Sequence, residues 1–174
     1  MQIRELNGAP AGTPTDKTSG TIRYKMADNA TVDLNNTPVV PTSGRTYTYE
    51  KWHRLYISAG TYTQIDNLRA YTDGGNGYGT GILLWAGVIG AYATPVVPSV
   101  AASPPTHAGM TFANAFSYTT GSPLNMDGIN VGPYDSTGIP KYIGDFIVSV
   151  MEIGTTASQG VKSAEPISWS FDET

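Results

Sequence analysis

Histidine is the residue best suited to acid–base chemistry near neutral pH, and the sequence has two, His53 and His107. His53 stands between Trp52 and Arg54 in a run with strand character, where a packed or pairing role is expected. His107 follows two prolines in a predicted loop. The sequence has no cysteine and no Gly-x-Ser-x-Gly turn that could present a nucleophilic serine. We therefore predict that the chain is not an enzyme and has no catalytic residues.

Ligands for a metal ion are also sparse. Two histidines without cysteine do not form a zinc pattern. Two groups of loop oxygens could bind calcium, but neither has the Asp-x-Asp-x-Asp-Gly spacing; they are Asp28, Asn29 and Asp33, and Asp66 and Asp73. Such residues are also common in ordinary turns. We predict no metal site and no cofactor.

Paired carboxylates could hydrolyse a glycosidic bond if the fold brought two of them together. The acids on predicted strands are chiefly Glu50, Asp145 and Glu152. Several of them are expected to face solvent or Arg and Lys partners. Glycosidase activity remains a minor alternative, because a spatial pair need not be close in the sequence.

Aromatic residues could instead stack on the faces of sugars. The candidates are Trp52, Tyr56, Tyr71, Tyr78 and Tyr92. Aromatics on alternating strands more often form core contacts or cross-strand pairs. Tyr78 lies in the glycine-rich stretch 73–79, where we expect it to be exposed. The alternative function is therefore a carbohydrate-binding or host-attachment β-sandwich module, with Tyr78 as the stacking residue.

The charge pattern excludes two kinds of partner. The net charge is −4, and the ten Lys and Arg residues are spread singly. Nucleic-acid binding and a polybasic membrane patch both need clustered positive charge. The first eight residues have no apolar region typical of a signal peptide, and the longest apolar stretch, around Ile82–Ala86, is far short of the roughly 20 residues of a membrane span. We predict neither nucleic acid nor membrane as a partner.

The elements that must position these residues are short strands. The 20 Gly and 12 Pro residues recur so regularly that no long helix fits between them. Runs rich in Val, Ile, Thr, Tyr and Trp lie between them and predict about eight or nine strands; the clearest are Thr21–Met26, Arg45–Ser58, Tyr62–Thr72, Gly81–Val88, Tyr142–Ile153 and Ile167–Phe171. This pattern predicts an all-β protein, a single antiparallel β-sandwich or jelly-roll-like domain.

Alternation within the strands predicts which of them are central. In Thr21–Met26, apolar and basic residues alternate cleanly, which indicates a half-buried strand. The second half of Arg45–Ser58 has bulky groups on both faces, which indicates a central strand or one covered by a partner. Tyr142–Ile153 places Phe146, Val148 and Val150 on one face and Ile147 and Met151 on the other. Tyr62–Thr72 has apolar spacings that indicate a bulged strand.

The remaining segments are predicted to reach outward. Residues 1–20 form an extended N-terminal arm, and residues 21–174 form the β-sandwich domain. Ile3, Arg4 and Leu6 are the predicted partner-interface residues of this arm, with Ile3 and Leu6 as anchors on a neighbouring subunit. The long connections at 99–109 and 121–140 could bridge subunits while the sheets stay fixed.

Several short stretches resemble the small all-β virion proteins of tailed bacteriophages. They are Arg4–Ala9, Trp52–Leu55 leading into Asp66–Arg69, Tyr92–Pro95, Asp145–Met151 and Trp169–Glu173, which together cover about a sixth of the chain. The resemblance implies a capsid decoration (cement) protein or another minor head or tail component. It further implies partners among other virion proteins such as a major capsid protein, a homo-oligomer, and a location in the virion after synthesis in the host cytoplasm.

Overall fold

The computed structural model describes all 174 residues, and its regular structure is β throughout. The strands are β1 (Gln2–Leu6), β2 (Thr15–Asp16), β3 (Arg45–Tyr47), β4 (Lys51–Ile57), β5 (Ile65–Tyr71), β6 (Ile82–Ile89), β7 (Thr106–His107), β8 (Met110–Thr111), β9 (Ala113–Asn114), β10 (Leu124–Asn125), β11 (Lys141–Gly154) and β12 (Ser168–Glu173). The one helical segment is a 3₁₀ turn of three residues, Ala115–Ser117. No helix of the protein could therefore span a membrane.

A seven-stranded antiparallel sheet forms the centre of the protein. Its order is β2-β1-β4-β11-β6-β9, and β3 pairs with β11 beyond the end of β4. The 14-residue strand β11 lies between β4 and β6 and is buried along nearly its whole length. The predicted central position of the Arg45–Ser58 region is confirmed, because β4 has β1 on one side and β11 on the other.

A three-stranded antiparallel sheet, in the order β10-β5-β12, packs against one face of the large sheet. The main core lies between the two sheets. It includes Leu68 and Ala70 from β5, Leu84 from β6, and Ile143 and Ile147 from β11, all less than 5 % exposed. The predicted all-β fold and antiparallel sandwich are confirmed.

The other face of the large sheet carries a second apolar cluster that is covered by loops. Phe146, Val148 and Val150 point to this side, opposite Ile147 and Met151 of the main core, as the alternation predicts. Aromatic rings of this cluster pack edge-on or tilted, with Trp52 5.3 Å from Tyr92 and 5.7 Å from Phe146 between ring centroids. β11 is thus buried on both faces, which explains why apolar side chains occur on both faces of this strand.

The N-terminal segment, expected to be an arm, contributes β1 and β2 to the large sheet. Ile3 packs on the main core and Leu6 belongs to the second cluster. These two apolar residues therefore contact this chain's own core, and the boundary drawn at residue 20 does not separate two structural units. Arg4 is half-buried on the same face of the sheet as Leu6.

Irregularities interrupt two strands at defined residues. The pairing of β5 with β12 shifts near Asn67, which has a positive φ of 52°, so the predicted bulge in this strand is confirmed. The pairing of β11 with β4 shifts between Ile143 and Ile147, where Gly144 has a φ of +65°. A Cβ at Gly144 would lie 2.5 Å from Leu68 Cδ1, so the close approach of the two sheets requires glycine here.

The strand predicted over Thr21–Met26 is wrong, because these residues form an irregular segment. Tyr24 and Ile22 of its predicted apolar face do contact the main core, but Met26 is 37 % exposed and Lys25, predicted on the polar face, is 2 % exposed. The physical reason is local tethering. Lys25 Nζ lies 3.1 Å from Asp33 Oδ1, and isolated backbone bonds replace a strand ladder, such as the one that Tyr49 N donates to Lys25 O.

Candidate functional site: loops held by buried carboxylates

Four carboxylates in or beside the large sheet are buried: Glu5 on β1, Glu50 just before β4, and Asp145 and Glu152 on β11. Glu5, Glu50 and Asp145 are 0 % exposed and Glu152 is 8 % exposed. Glu50 and Asp145 contact neither solvent nor an Arg or Lys partner, so that expectation is wrong for these two, whereas Glu152 does pair with an arginine. Each carboxylate has hydrogen-bond or ion-pair partners in place of water, and for Glu50, Asp145 and Glu152 several of the donors belong to a connecting segment.

Asp145 holds the loop that follows β10. Its two carboxylate oxygens accept hydrogen bonds from the backbone N–H groups of Gly128, Ile129 and Asn130 at 3.1, 2.9 and 2.7 Å. The Asn130 side chain donates to the same carboxylate at 2.9 Å and to Gly90 O at 2.8 Å. Such charge-assisted bonds are stronger than neutral ones, so residues 128–130 are fixed on the sheet.

Glu50 holds the long connection after β6. Its backbone N–H donates to Val96 O at 3.0 Å, and its carboxylate accepts from Val96 N and Trp52 Nε1 at 3.3 and 3.2 Å. His107 Nδ1 lies 2.8 Å from Glu50 Oε1, and its ring packs edge-on against Trp52. His107 lies in β7, so its predicted place in a loop is wrong, and it links the β7–β8 pair to Glu50 beside the large sheet.

Glu152 holds a later part of the same connection. Its Oε2 accepts from Trp85 Nε1 and Ser103 Oγ, both at 2.8 Å, and lies 2.9 Å from the Tyr47 hydroxyl. That hydroxyl is also 2.6 Å from Ala102 O. Arg45 Nε, 3.6 Å from Glu152 Oε1, is the arginine partner of this acid. Residues 102 and 103 are thereby fastened to the end of β11.

Glu5 lies in a buried cluster of charges beneath the loop before β3. Lys51 Nζ lies 3.3 Å from its Oε1, and Lys17 Nζ and His53 Nε2 each lie 3.7 Å from its Oε2. Burial raises the pKa of Glu5, but His53, Lys51 and Lys17 lower it more, to about 2. His53 is 1 % exposed, so it has the packed role expected for it.

The two lysines of this cluster link it to the loop before β3 through hydrogen bonds to backbone carbonyls. Lys51 Nζ donates to Asn29 O at 2.7 Å, and Lys17 Nζ donates to Thr21 O and Ala30 O at 2.9 and 2.7 Å. Sequence reasoning missed these residues, because a lysine on a strand or in a turn ordinarily faces solvent. The signal that could have found them is the position of Glu5 and Lys51 on strands with bulky neighbours on both faces.

The large apolar side chains that remain exposed all lie outside the strands. They are Met26, Val32, Leu34, Val39, Val96, Val100, Ile129, Val131 and Val161. Most are close in sequence to a residue that a buried carboxylate holds by a hydrogen bond. The backbone N–H of Val96 itself donates to Glu50, and that of Ile129 donates to Asp145. The arrangement presents apolar side chains on loops that are already ordered by the sheet.

Tyr78, expected to be exposed, is buried in the main core at 9 % exposure, so that expectation is wrong. Its loop turns inward because Asn76 Oδ1 accepts from Tyr78 N and Asn76 Nδ2 donates to Ile82 O. The Tyr78 ring packs edge-on against Phe116 at 6.0 Å, and burial raises its pKa to about 12. The ring face predicted to stack on a sugar is therefore occupied by this chain's own core.

The two groups of loop oxygens considered for calcium are used by other contacts or are separated. Asp28 Oδ2 accepts from Gly8 N, and Asp33 Oδ1 pairs with Lys25. Asp66 lies near the start of β5, whereas Asp73 follows its end. No group of three or more Asp, Glu or His side chains is placed to hold a metal ion.

Comparison with known protein families, with curated proteins and with solved structures finds no match for this chain. Its function must therefore be inferred from its own residues and their geometry.

Proposed function

We propose that this chain is a structural protein of a virus particle, a capsid decoration or minor virion protein that binds a repetitive protein lattice. The observation that carries the proposal is the set of loops held by Glu5, Glu50, Asp145 and Glu152, with apolar side chains left exposed on them. Loops that are ordered before binding lose less conformational entropy when they meet a partner.

The surface chemistry supports a protein partner. Exposed apolar side chains favour burial against another surface, and charged residues make up 14 % of the chain, well below the usual quarter. Desolvating hydroxyls and amides costs less than desolvating ions. A weakly charged surface with apolar loops therefore suits a permanent contact inside an assembly.

The resemblance of short stretches to virion proteins of tailed bacteriophages supports the kind of assembly. The partner would be a major capsid protein or another virion protein, the chain would act as a homo-oligomer, and its location would be the virion. The sheets would serve as the rigid frame, and the loops would make the contacts.

Binding of purified protein to shells assembled from the major capsid protein of the same genome tests this proposal. We expect co-sedimentation that saturates at a fixed ratio to the lattice, and a homo-oligomer by light scattering. Leu34→Ser, at a side chain 64 % exposed, should weaken shell binding by at least about fivefold, since central interface residues often contribute more than about 1 kcal/mol.

Asn35→Ser is the matched control, because Asn35 is an exposed polar residue in the same loop. It should bind shells as the unmodified protein does. A monomer that binds no shell or tail tube at any concentration would contradict the proposal, as would equal losses in the two variants.

A further inference from the structure

Two arginines face each other on the face of the large sheet that carries the second apolar cluster. Arg4 of β1 and Arg54 of β4 are direct cross-strand partners, so their side chains project from the same face. Like charges directly opposite each other on adjacent strands are destabilising. Both residues are half-buried, and they lie on the face that carries Leu6 and Trp52 further along.

No carboxylate neutralises this pair within 4 Å, whereas Arg45 and Arg69 each have such a partner. Arg4 donates from Nε and Nη2 to Gln2 Oε1 at 2.8 and 2.6 Å, and Arg54 donates from Nε to Gly144 O at 2.7 Å. These acceptors are uncharged. An unneutralised pair of guanidinium groups is unexpected in a chain with a net charge of −4.

The nearby acids form no ion pair with the two arginines. Asp16 of β2 is the cross-strand partner of Arg4 on its other side, and its Oδ1 accepts from Thr18 N and Thr18 Oγ1 at 2.9 and 2.6 Å. These bonds and, to a smaller extent, the charge of Arg4 lower the pKa of Asp16. Asp145 influences Arg54 electrostatically but uses its oxygens to hold residues 128–130. Two guanidinium groups face the one carboxylate of Asp16 here, so this part of the sheet keeps a net positive charge.

Aromatic rings hold the guanidinium groups in place. The Arg4 guanidinium lies 4.5 Å from the centre of the Tyr56 ring, and that of Arg54 lies 4.9 Å from Phe146 and 6.0 Å from Tyr142. The Tyr56 and Tyr142 rings are 4.9 Å apart. Burial raises the pKa of Tyr142, and the charges of Arg4 and Arg54 oppose this.

We propose that Arg4, Arg54 and Tyr142 form a binding site for a carboxylate on an acidic segment of a partner protein. The remaining N–H groups of the two guanidiniums and the Tyr142 hydroxyl can donate to it, and arginine matches the planar carboxylate with paired donors. The site deepens the proposed function and rests on it, since it names the chemistry of the surface that the chain contacts in the lattice.

An acidic peptide fits this site better than an acidic sugar. A pyranose stacks on an open, flat ring face, but Arg4 covers the Tyr56 ring and the planes of Tyr56 and Tyr142 are tilted by 58°. What the site offers instead is a row of donors across neighbouring strands. Of the predicted interface residues Ile3, Arg4 and Leu6, Arg4 is the one whose charged group takes part.

Fluorescence anisotropy with a labelled octaglutamate peptide at low ionic strength tests the site, with octalysine and polysialic acid as comparison ligands. We expect octaglutamate to bind, added salt to weaken it, and Arg4→Gln to weaken it by about fivefold, the value of one well-placed ion pair at a half-exposed site. Tyr142→Phe should weaken it less, because the ring remains and one donor is lost.

Lys162→Gln is the matched control, since it lowers the net charge equally at a lysine bonded only to Ser158. It should bind octaglutamate like the unmodified protein. Equal losses in Arg4→Gln and Lys162→Gln would overturn the site, as would an absence of octaglutamate binding. Binding of polysialic acid in preference to octaglutamate, lost in Arg4→Gln, would overturn the peptide assignment in favour of a sugar.

Shell binding by Arg4→Gln separates this inference from the proposed function. Weaker binding to both shells and octaglutamate supports the inference. Unchanged shell binding with weaker octaglutamate binding overturns the lattice role of the site and leaves the proposed function intact. Octaglutamate binding by a chain that binds no shell refutes the proposed function and, with it, this site's lattice role. Thermal unfolding of Arg4→Gln confirms that the variant is folded.

Discussion

Each buried carboxylate of this protein has its own set of hydrogen-bond or ion-pair partners, and Glu5 has the most strongly charged set. Glu5 is completely buried, yet three cationic or potentially cationic groups lie within 3.7 Å of its carboxylate. A carboxylate without such partners would take up a proton on burial. Because these groups outweigh burial and lower the pKa of Glu5 to about 2, it stays ionised at every ordinary pH.

The depressed pKa of Glu5 predicts a pH dependence of stability. The folded-state value of about 2 lies below the ordinary 4.5, so ionised Glu5 stabilises the fold above pH 4.5, and this stabilisation is lost as the pH falls from 4.5 towards 2. The amount is about 3 kcal/mol. Denaturant titrations at pH 7, 4.5 and 3 should show it as a falling free energy of unfolding.

Glu5→Gln should remove this part of the pH dependence and lower the free energy of unfolding at pH 7, because Lys51 and Lys17 are then buried without a counter-charge. Exposed Glu173→Gln is the control and should leave both quantities nearly unchanged. Parallel pH profiles for Glu5→Gln and the unmodified protein would show that Glu5 is not the group responsible.

Among the structural elements, the strands supply carboxylates and the loops are held to them by hydrogen bonds. Asp145 of β11 binds three consecutive backbone N–H groups of one loop. Asp145→Asn replaces one acceptor oxygen by a donor and leaves some of these N–H groups without a partner. We expect a loss of about 1–3 kcal/mol and faster hydrogen exchange at residues 128–130.

Asp73→Asn provides the comparison, because Asp73 is an exposed residue that accepts only from Gly75 N. Hydrogen exchange followed by mass spectrometry should leave residues 128–130 unaffected in that variant. Unchanged exchange at residues 128–130 in Asp145→Asn would mean that the carboxylate does not hold this loop.

Two glycines with similar φ values should respond differently to substitution by alanine, because only one of them lies in the bulge in β11. Gly144 and Gly138 have φ values of +65° and +70°, but a Cβ would meet Leu68 Cδ1 at 2.5 Å only at Gly144, and nothing within 4 Å at Gly138. Both alanine variants bear the backbone cost of about 1–2 kcal/mol. Gly144→Ala should lose a further 1–3 kcal/mol or so from the clash, measured by urea denaturation. Equal losses would show that the sheets can move apart freely at this point.

At the scale of the whole molecule, one long strand organises two cores. β11 places Ile147 towards the small sheet and Phe146 towards the loop-covered cluster. The second core is covered by the segment that includes Tyr92 and Val97, which Glu50 and His107 fasten. The loops are therefore part of the packed structure, and this is why apolar side chains can remain exposed on them in an ordered arrangement.

The regular part of this architecture is predictable from the sequence, and the candidate site is only partly so. Alternation placed Phe146 and Ile147 on opposite faces correctly, because it reflects the local geometry of a strand. The local pattern wrongly predicts an exposed Tyr78 and a strand at Thr21–Met26, because it contains no information on whether a loop folds inward or a lysine holds it. It likewise contains no information on strand register, which makes His53 the cross-strand partner of Glu5 and Arg54 that of Arg4.

The all-β class and the central strands follow from composition and short-range periodicity. The burial and pairing of the charges depend instead on how the whole chain folds. Glu5 and Lys51 are 46 residues apart, and Asp145 and Gly128 are 17 apart. Whether a charge faces water or a partner depends on strand register and loop path, which are set by the packing of the whole chain.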